Sequence, residues 1–302
     1  MTKTVYFLML PNVLSLDVSG PAETLRLSGQ FVLHYISPQP QVTCSIGITL
    51  SQLQPLPTQL ENGAVVVVPG IAGAEHGADE AAMQWLAGLQ PALQAQRLTL
   101  VCICSGALLA AQAGLLDGYH CTTHHSLIDR LRQLAPAAWV KENRIFVEDR
   151  NAYTSAGVTA GIDLALHLIN RDCGAHAALE VAREMVIYFR RSGDDPQLSP
   201  WLRYRNHLHP AVHRAQDVMA AEPEVAWSVP SVAKKAHVSS RHLARLFRHH
   251  IGISVREYHE QLRLAVAQQH LQQGYGVEKA ALTAGFSSAR QLRRAQQRWA
   301  EN

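Results

Sequence analysis

At 302 residues, 47% hydrophobic and 17% charged, the chain carries enough apolar material for two cored domains, and a disordered chain is excluded. Its formal net charge of +3 conceals a division: residues 1–199 hold 12 Lys/Arg against 17 Asp/Glu, and residues 200–302 hold 15 against 7. A basic carboxyl-terminal part on an acidic body fits a polyanionic partner for that part alone. Five cysteines (Cys44, Cys102, Cys104, Cys121 and Cys173) are odd in number and lack metal-type spacing, and the chain opens MTKTVYF without a signal-peptide pattern. Both features predict a reducing cytoplasm and no disulfide framework.

In chain order, the apolar run Val5 to Leu10 predicts a buried first strand ending at Pro11. The loop LPNVLSLDVSG follows, with Asp17 just beyond the strand's carboxyl end, then a helix from about Pro21 to Leu27 and a second strand from Phe31 to Ser37. Val65 to Val68 is an unbroken β-branched run stopping at Pro69-Gly70, as a central parallel strand does. Residues 81–93 are helical in pattern apart from Gly88 and Pro91. Residues 98–116 carry no charge, but their Cys, Ser, Gln and two glycines favour a buried strand, a turn and a buried helix over a membrane span. Residues 156–170 and 175–191 read as helices, the second with Leu179, Ala182, Val186 and Phe189 on one side. Such alternation implies an α/β fold, a parallel sheet sandwiched by helices, with ligands gathering beyond the strands' carboxyl ends, where Asp17, Gly70 and Cys104 fall.

The turn CICSGALLAAQAGLLDG places Cys104 near a helix amino end, where free N–H groups and the helix dipole favour a thiolate, and the small Ser105-Gly106 pair permits the turn. With AGLLDGYHCTTHHS and YTSAGVTAGIDLALHLI downstream, this stretch resembles the nucleophile elbow of the DJ-1/PfpI superfamily, which has a flavodoxin-like fold. The resemblance implies that Cys104 matches the reactive cysteine, that Asp17 takes the place of an acidic residue able to hydrogen-bond that sulfur, and that His124 matches a nearby histidine. Ser105 stands where protease-like members carry a histidine, so the usual proton acceptor for peptide hydrolysis is missing. Cys104 is therefore a candidate catalytic residue, a candidate oxidation sensor or a structural thiol, and Asp17, Gly70, Cys104, Ser105 and His124 form the expected ligand-binding set. No metal site or cofactor is expected: the 16 histidines show no ligand spacing, and His207, His209 and His213 read as the start of a linker.

Residues 231–251, SVAKKAHVSSRHLARLFRHHI, predict a helix, a tight turn and a second helix. In the second helix Leu243, Leu246 and Phe247 share the inward side and Arg241, Arg245 and Arg248 the outward side, with Ser239 as its cap. Residues 280–299 repeat the pattern at an offset of 49, Ser288, Arg290, Leu292 and Arg294 answering Ser239, Arg241, Leu243 and Arg245. A helix from Ile253 to about Leu271 joins the copies, placing two recognition helices about one DNA turn apart. This part resembles the AraC/XylS regulators. The second copy departs from them at Gln296, polar where Phe247 is apolar, and by stopping before their Ser-Pro-x-x-aromatic segment; a weaker second reading head is expected.

The two parts together resemble the GlxA-type regulators. The expected organisation is a DJ-1/PfpI-like sensing domain over residues 1–192, a linker over 193–212, and an all-α domain with two helix-turn-helix units over 213–302. Ser240, Arg241, His242, Arg245 and Arg248 are the expected DNA contacts of the first unit, and Arg290, Arg293 and Arg294 those of the second. The partners implied are double-stranded promoter DNA, a small, nitrogen-containing effector and a second copy in a homodimer, with no membrane. The alternative is a cysteine-dependent DJ-1/PfpI-type hydratase or hydrolase acting through Cys104.

Overall fold

The structure, a computed structural model, describes residues 2–74, 79–187, 191–195, 197, 204–205 and 207–300. The chain divides into two compact units, Met1–Gln197 and Leu198–Asn302. In chain order the first unit contains β1 (Lys3–Leu8), α1 (Ser15–Leu27), β2 (Phe31–Ile36), β3 (Gln41–Thr43), β4 (Thr49–Ser51), β5 (Ala64–Val68), α2 (Glu80–Ala87), α3 (Gln90–Gln94), β6 (Leu98–Ile103) and α4 (Gly106–Gln112). After these come β7 (His120–Cys121), α5 (Ile128–Leu134), β8 (Trp139–Val140), β9 (Phe146–Asp149), β10 (Ala152–Ser155), α6 (Ala160–Cys173) and α7 (Ala175–Glu184).

The main sheet runs β2-β1-β5-β6-β10-β9. Its first five members are parallel, and β9 pairs antiparallel with β10, so the expected parallel sheet is a mixed one with one reversed edge. All five residues of β5 are buried, because a central strand covered on both faces has no side left for polar residues. The helices flank the sheet in two groups, α1 packing with α6 and α7, and α4 with α2 and α5.

Local chemistry moved several boundaries. The first helix starts at Ser15 rather than near Pro21, so Asp17 lies in its first turn, where a carboxylate suits the helix dipole. The pattern over 81–93 breaks at Gly88 and Leu89 into α2 and α3. Helix α6 begins at Ala160 rather than 156, since Gly157 and Val158 both take left-handed backbone. Helix α7 stops at Glu184: its buried residues are Ala178, Val181 and Ala182, whereas Leu179 is exposed and Val186 is 86% exposed with left-handed backbone. Phe189 lies outside the described residues.

The stretch expected to begin the linker is bound to the first unit. Ile145 donates to the Gly193 and Asp195 carbonyls, both at 3.1 Å, and the Gln197 amide donates to the Thr123 and Arg144 carbonyls at 2.8 and 2.9 Å.

The second unit is helical: α8 (Pro210–Ala221), α9 (Val229–Lys235), α10 (Ser240–Ile251), α11 (Val255–Gln272), α12 (Val277–Thr283) and α13 (Ala289–Ala300). Two small cores lie along α11. One gathers Val212, Met219, Val232, Leu243, Phe247, Tyr258 and Leu262; the other gathers Ala267, Ala281, Ala284, Phe286, Leu292 and Ala295. His207, His209 and His213 are not part of an open connection. His209 stands at the amino-terminal boundary of α8 without a side-chain bond to it, His207 is buried against Gln216, and the His207 and His213 rings stand 4.4 Å apart.

Candidate functional site

The elbow is built where β6 meets α4. Cys104 takes a φ of 54°, a left-handed conformation that costs a residue with a Cβ about 1–2 kcal/mol and that its surroundings hold in place. Its N–H donates to the Ser155 carbonyl at 3.0 Å, and its own carbonyl accepts the Thr123 hydroxyl at 2.8 Å. Gly157, φ 82°, closes the site from the β10 side: a Cβ there would stand 2.2 Å from the Cys104 Cβ, so neither its backbone nor its space admits a side chain. Ser105 exchanges two hydrogen bonds with Ile71, its hydroxyl accepting from the amide and donating to the carbonyl, each at 2.9 Å. That hydroxyl is thereby committed to holding the loop after β5.

Asp17 is fully buried. Its Oδ1 accepts the Val158 amide at 2.7 Å, which explains the left-handed turn before α6. Its Oδ2 lies toward Gly70 and the Cys104 thiol without a well-formed hydrogen bond to either. Burial raises the Asp17 carboxyl above the ordinary carboxylate value, against the Val158 and Gly70 amides and the thiol, which favour the anion. Burial, and then the Asp17 carboxylate, push the Cys104 thiol up to about 12. The helix amino end, which by itself favours a thiolate, does not prevail here: the Ser105 amide favours the anion, but desolvation and a neighbouring negative charge outweigh it and favour the protonated thiol.

Asp17, Gly70, Cys104 and Ser105 are thus brought together. His124 is engaged in its own loop instead, where its Nδ1 bonds the Ser126 hydroxyl at 2.8 Å and its ring lies tilted by 39° beside His125, the centres 4.2 Å apart. Burial and then His125 hold it below the ordinary histidine value, and among the described residues no hydrogen bond joins it to Cys104. Thr123, Gly157 and Val158 are the site residues that the sequence pattern missed. A wider cleft of about 860 Å³ opens elsewhere in this unit, between Phe146, Glu148, His167 and Arg191.

In the second unit the sequence pattern builds two reading helices. Ser239 caps α10 by accepting the His242 amide at 3.2 Å, and Gly252 ends it in left-handed backbone. Leu243, Leu246 and Phe247 are buried, Arg241 and Arg245 are exposed, and Ser240 and His242 are half-buried. Arg245 lies against the His242 ring nitrogen at 3.1 Å. Arg248 bonds the Gly252 carbonyl at 3.2 Å and pairs with Glu257 at 3.4 Å, at the helix's carboxyl end. On α13, Arg290, Arg293 and Arg294 are exposed while Leu292 and Ala295 are buried.

The offset of 49 holds within the reading helices but not before them. His237 and Gly285, the left-handed residues of the two turns, are 48 apart, as are the amide-to-carbonyl pairs Val238 to Ala233 and Phe286 to Ala281. The second turn therefore holds one more residue, Ser287, which binds the Gln291 side chain, while Ser288 caps at the position of Ser239.

The sequence matches the DJ-1/PfpI family over residues 3–171 and a helix-turn-helix domain family over residues 232–302. It is 30% identical over 295 residues to the HTH-type transcriptional regulator GbdR of Pseudomonas aeruginosa, covering 95% of this chain and 78% of the relative. Isonitrile hydratase of Pseudomonas putida is 35% identical over 182 residues, 59% of this chain and 75% of the enzyme. Among solved structures, an AraC family transcriptional regulator from Pseudomonas putida aligns with a TM-score of 0.53 at 20% identity, over 61% of this chain and 99% of that one, which is a likeness of fold.

Proposed function

Since this chain belongs to the DJ-1/PfpI family and joins that fold to a helix-turn-helix domain, as a DNA-binding transcription regulator, we propose that residues 1–192 sense a small nitrogen-containing metabolite and transmit its presence to two reading helices. The observation that carries the sensing role is the buried Asp17 Oδ2, an acceptor without a well-formed bond beside Gly70 and Cys104, which an amine or amide N–H would satisfy. In this proposal Ser105 holds the loop that carries Gly70 beside Asp17, and His124 approaches the effector only from the neighbouring loop; the protein works in the cytoplasm as a homodimer, where its promoter DNA is accessible.

Arg241, His242 and Arg245, with Ser240 at the first turn of α10, are the proposed contacts of the first unit, and Arg290, Arg293 and Arg294 those of the second. Recognition helices read bases from their amino-terminal turns. Arg248, bound at the far end of α10, is assigned to a phosphate at most. The enzyme alternative is set aside: the relative matched over 95% of the chain is a regulator, and the buried Cys104 thiol, held near 12, is unsuited to nucleophilic attack.

The operator is obtained by selection from a randomised duplex pool. Arg245→Ala then weakens its binding by about 1–3 kcal/mol if Arg245 reads a base, and undiminished specific binding removes the residue from the set. A thermal-shift screen of the full chain with amines, amides and amino acids identifies the effector, since a ligand of the folded state raises the midpoint. Asp17→Asn, which keeps a carbonyl acceptor but removes the negative charge, is expected to abolish a shift given by a cationic amine. An unchanged shift in that variant places the effector elsewhere.

A further inference from the structure

One stretch of α11 touches both halves of the helical unit. His259 and Arg263, one turn apart, reach the loop between α8 and α9. His259 Nε2 and Arg263 Nε donate to the Pro223 carbonyl at 2.8 and 3.1 Å, and Arg263 Nη2 donates to the Glu224 carbonyl at 3.1 Å. Burial and then the Arg263 guanidinium hold His259 below the ordinary histidine value, so the ring is neutral and its proton sits on Nε2, facing the carbonyl.

The second reading head rests on the same loop. Gly285, φ 81°, occupies the turn between α12 and α13, and a Cβ there would stand 2.1 Å from the Glu224 carbonyl oxygen. The carbonyl that Arg263 grips is thus the floor of the second turn. The Arg263 guanidinium also lies 6.0 Å from the centre of the Phe286 ring, which is the largest side chain described in the second core. On the adjoining face Glu260 accepts the Trp299 indole N–H at 3.1 Å and pairs with Arg298 at 3.2 Å, tying down the last turn of α13.

We propose that Arg263 is a positioning residue that fixes the spacing and rotational phase of the two reading helices, so that the protein accepts one separation between its half-sites. The consequence for DNA rests on the regulator reading; the geometry does not. A duplex turns about 34° per base pair, so one inserted pair swings a half-site out of reach of a rigid reader while a loose reader follows it.

Two measurements test this on the full chain. With Cys173→Ser removing the partly exposed thiol and spin labels on Ala244→Cys and Gln297→Cys, both exposed, pulsed electron resonance gives the distance between α10 and α13 without any DNA. The parent shows one narrow distribution; Arg263→Met broadens it and Arg263→Lys, which keeps charge but loses the two-pronged grip, broadens it less. Equal widths in parent and variants overturn the proposal, and so does a broad distribution in the parent.

On the selected operator, one base pair inserted between half-sites is expected to weaken the parent about tenfold or more and Arg263→Met less than about threefold, with each single half-site bound equally by both. The same insertion penalty in both proteins overturns the proposal. A parent that prefers no duplex sinks the DNA reading instead, and the distance measurement then decides the role of Arg263. Should Arg263→Met fail to fold, Arg263→Lys carries both comparisons.

Discussion

At the scale of single residues, the pair Asp17 and Cys104 decides what the elbow can do. The carboxyl is raised by burial, so the folded chain holds its proton to higher pH than the unfolded chain does. Its contribution to stability is fully present below the unfolded value near 3.9 and is lost as pH rises through the folded value. Asp17→Asn is expected to flatten that slope, read as the unfolding midpoint between pH 4 and 7. The same change removes the second cause of the raised Cys104 value, so iodoacetamide alkylation at pH 9 should be faster in Asp17→Asn than in the parent, where a thiol near 12 is ionised in only about one molecule in a thousand. Equal alkylation rates would show that the carboxylate does not bear on the sulfur. Cys104, Asp17, Gly70 and Ser105 were legible in the sequence because each ends a strand or opens a helix beside one. The thiol's ionisation was not, because the helix amino end is visible in the residue pattern while desolvation depends on what packs above it. Gly157, Val158 and Thr123 lie in the downstream stretches that carry the resemblance but reach the site from over 15 positions away in the chain, and local spacing does not say which residues of those stretches meet it.

At the scale of elements, the recognition helices show how a repeat in sequence becomes two unequal parts. Phe247 is fully buried among Val212, Val232 and Tyr258, whereas Gln296, at the matching offset, is exposed. Phe247→Ala is accordingly expected to destabilise the helical unit by about 3–5 kcal/mol, and Gln296→Ala to stay within about 0.5 kcal/mol, both followed by urea unfolding with circular dichroism. Comparable losses at the two positions would mean that the second core extends to Gln296. The second head, with its alanine-rich core, relies instead on polar ties to α11 through Glu260 and on the floor beneath Gly285. Helix periods were readable because an amphipathic face repeats every three to four residues. The early stop of α7 and the late start of α6 were not, since left-handed residues at Val186 and Val158 carry β-branched side chains that give no breaker signal.

At the scale of the whole molecule, the charge division between the two parts predicts how binding responds to salt. About six phosphate contacts from the basic helices would lower operator affinity about 10³-fold between 50 and 200 mM salt, and removing one such contact, as in Arg293→Ala, should flatten the log–log slope by about 0.9. An affinity unchanged between those salt concentrations would exclude phosphate contacts as its source. The sequence by itself determined the α/β class, the central strands, the elbow, the doubled basic helix and the acidic and basic halves, because each is written in local spacing or in composition. Tertiary structure alone decided the reversed β9 edge, the attachment of Gly193, Asp195 and Gln197 to the first unit, the desolvation that raises the Cys104 thiol and the joint made by Arg263, Glu224 and Gly285. Each of those depends on which distant groups share a desolvated space, and burial of that kind is a property of the assembled chain and not of any stretch of it.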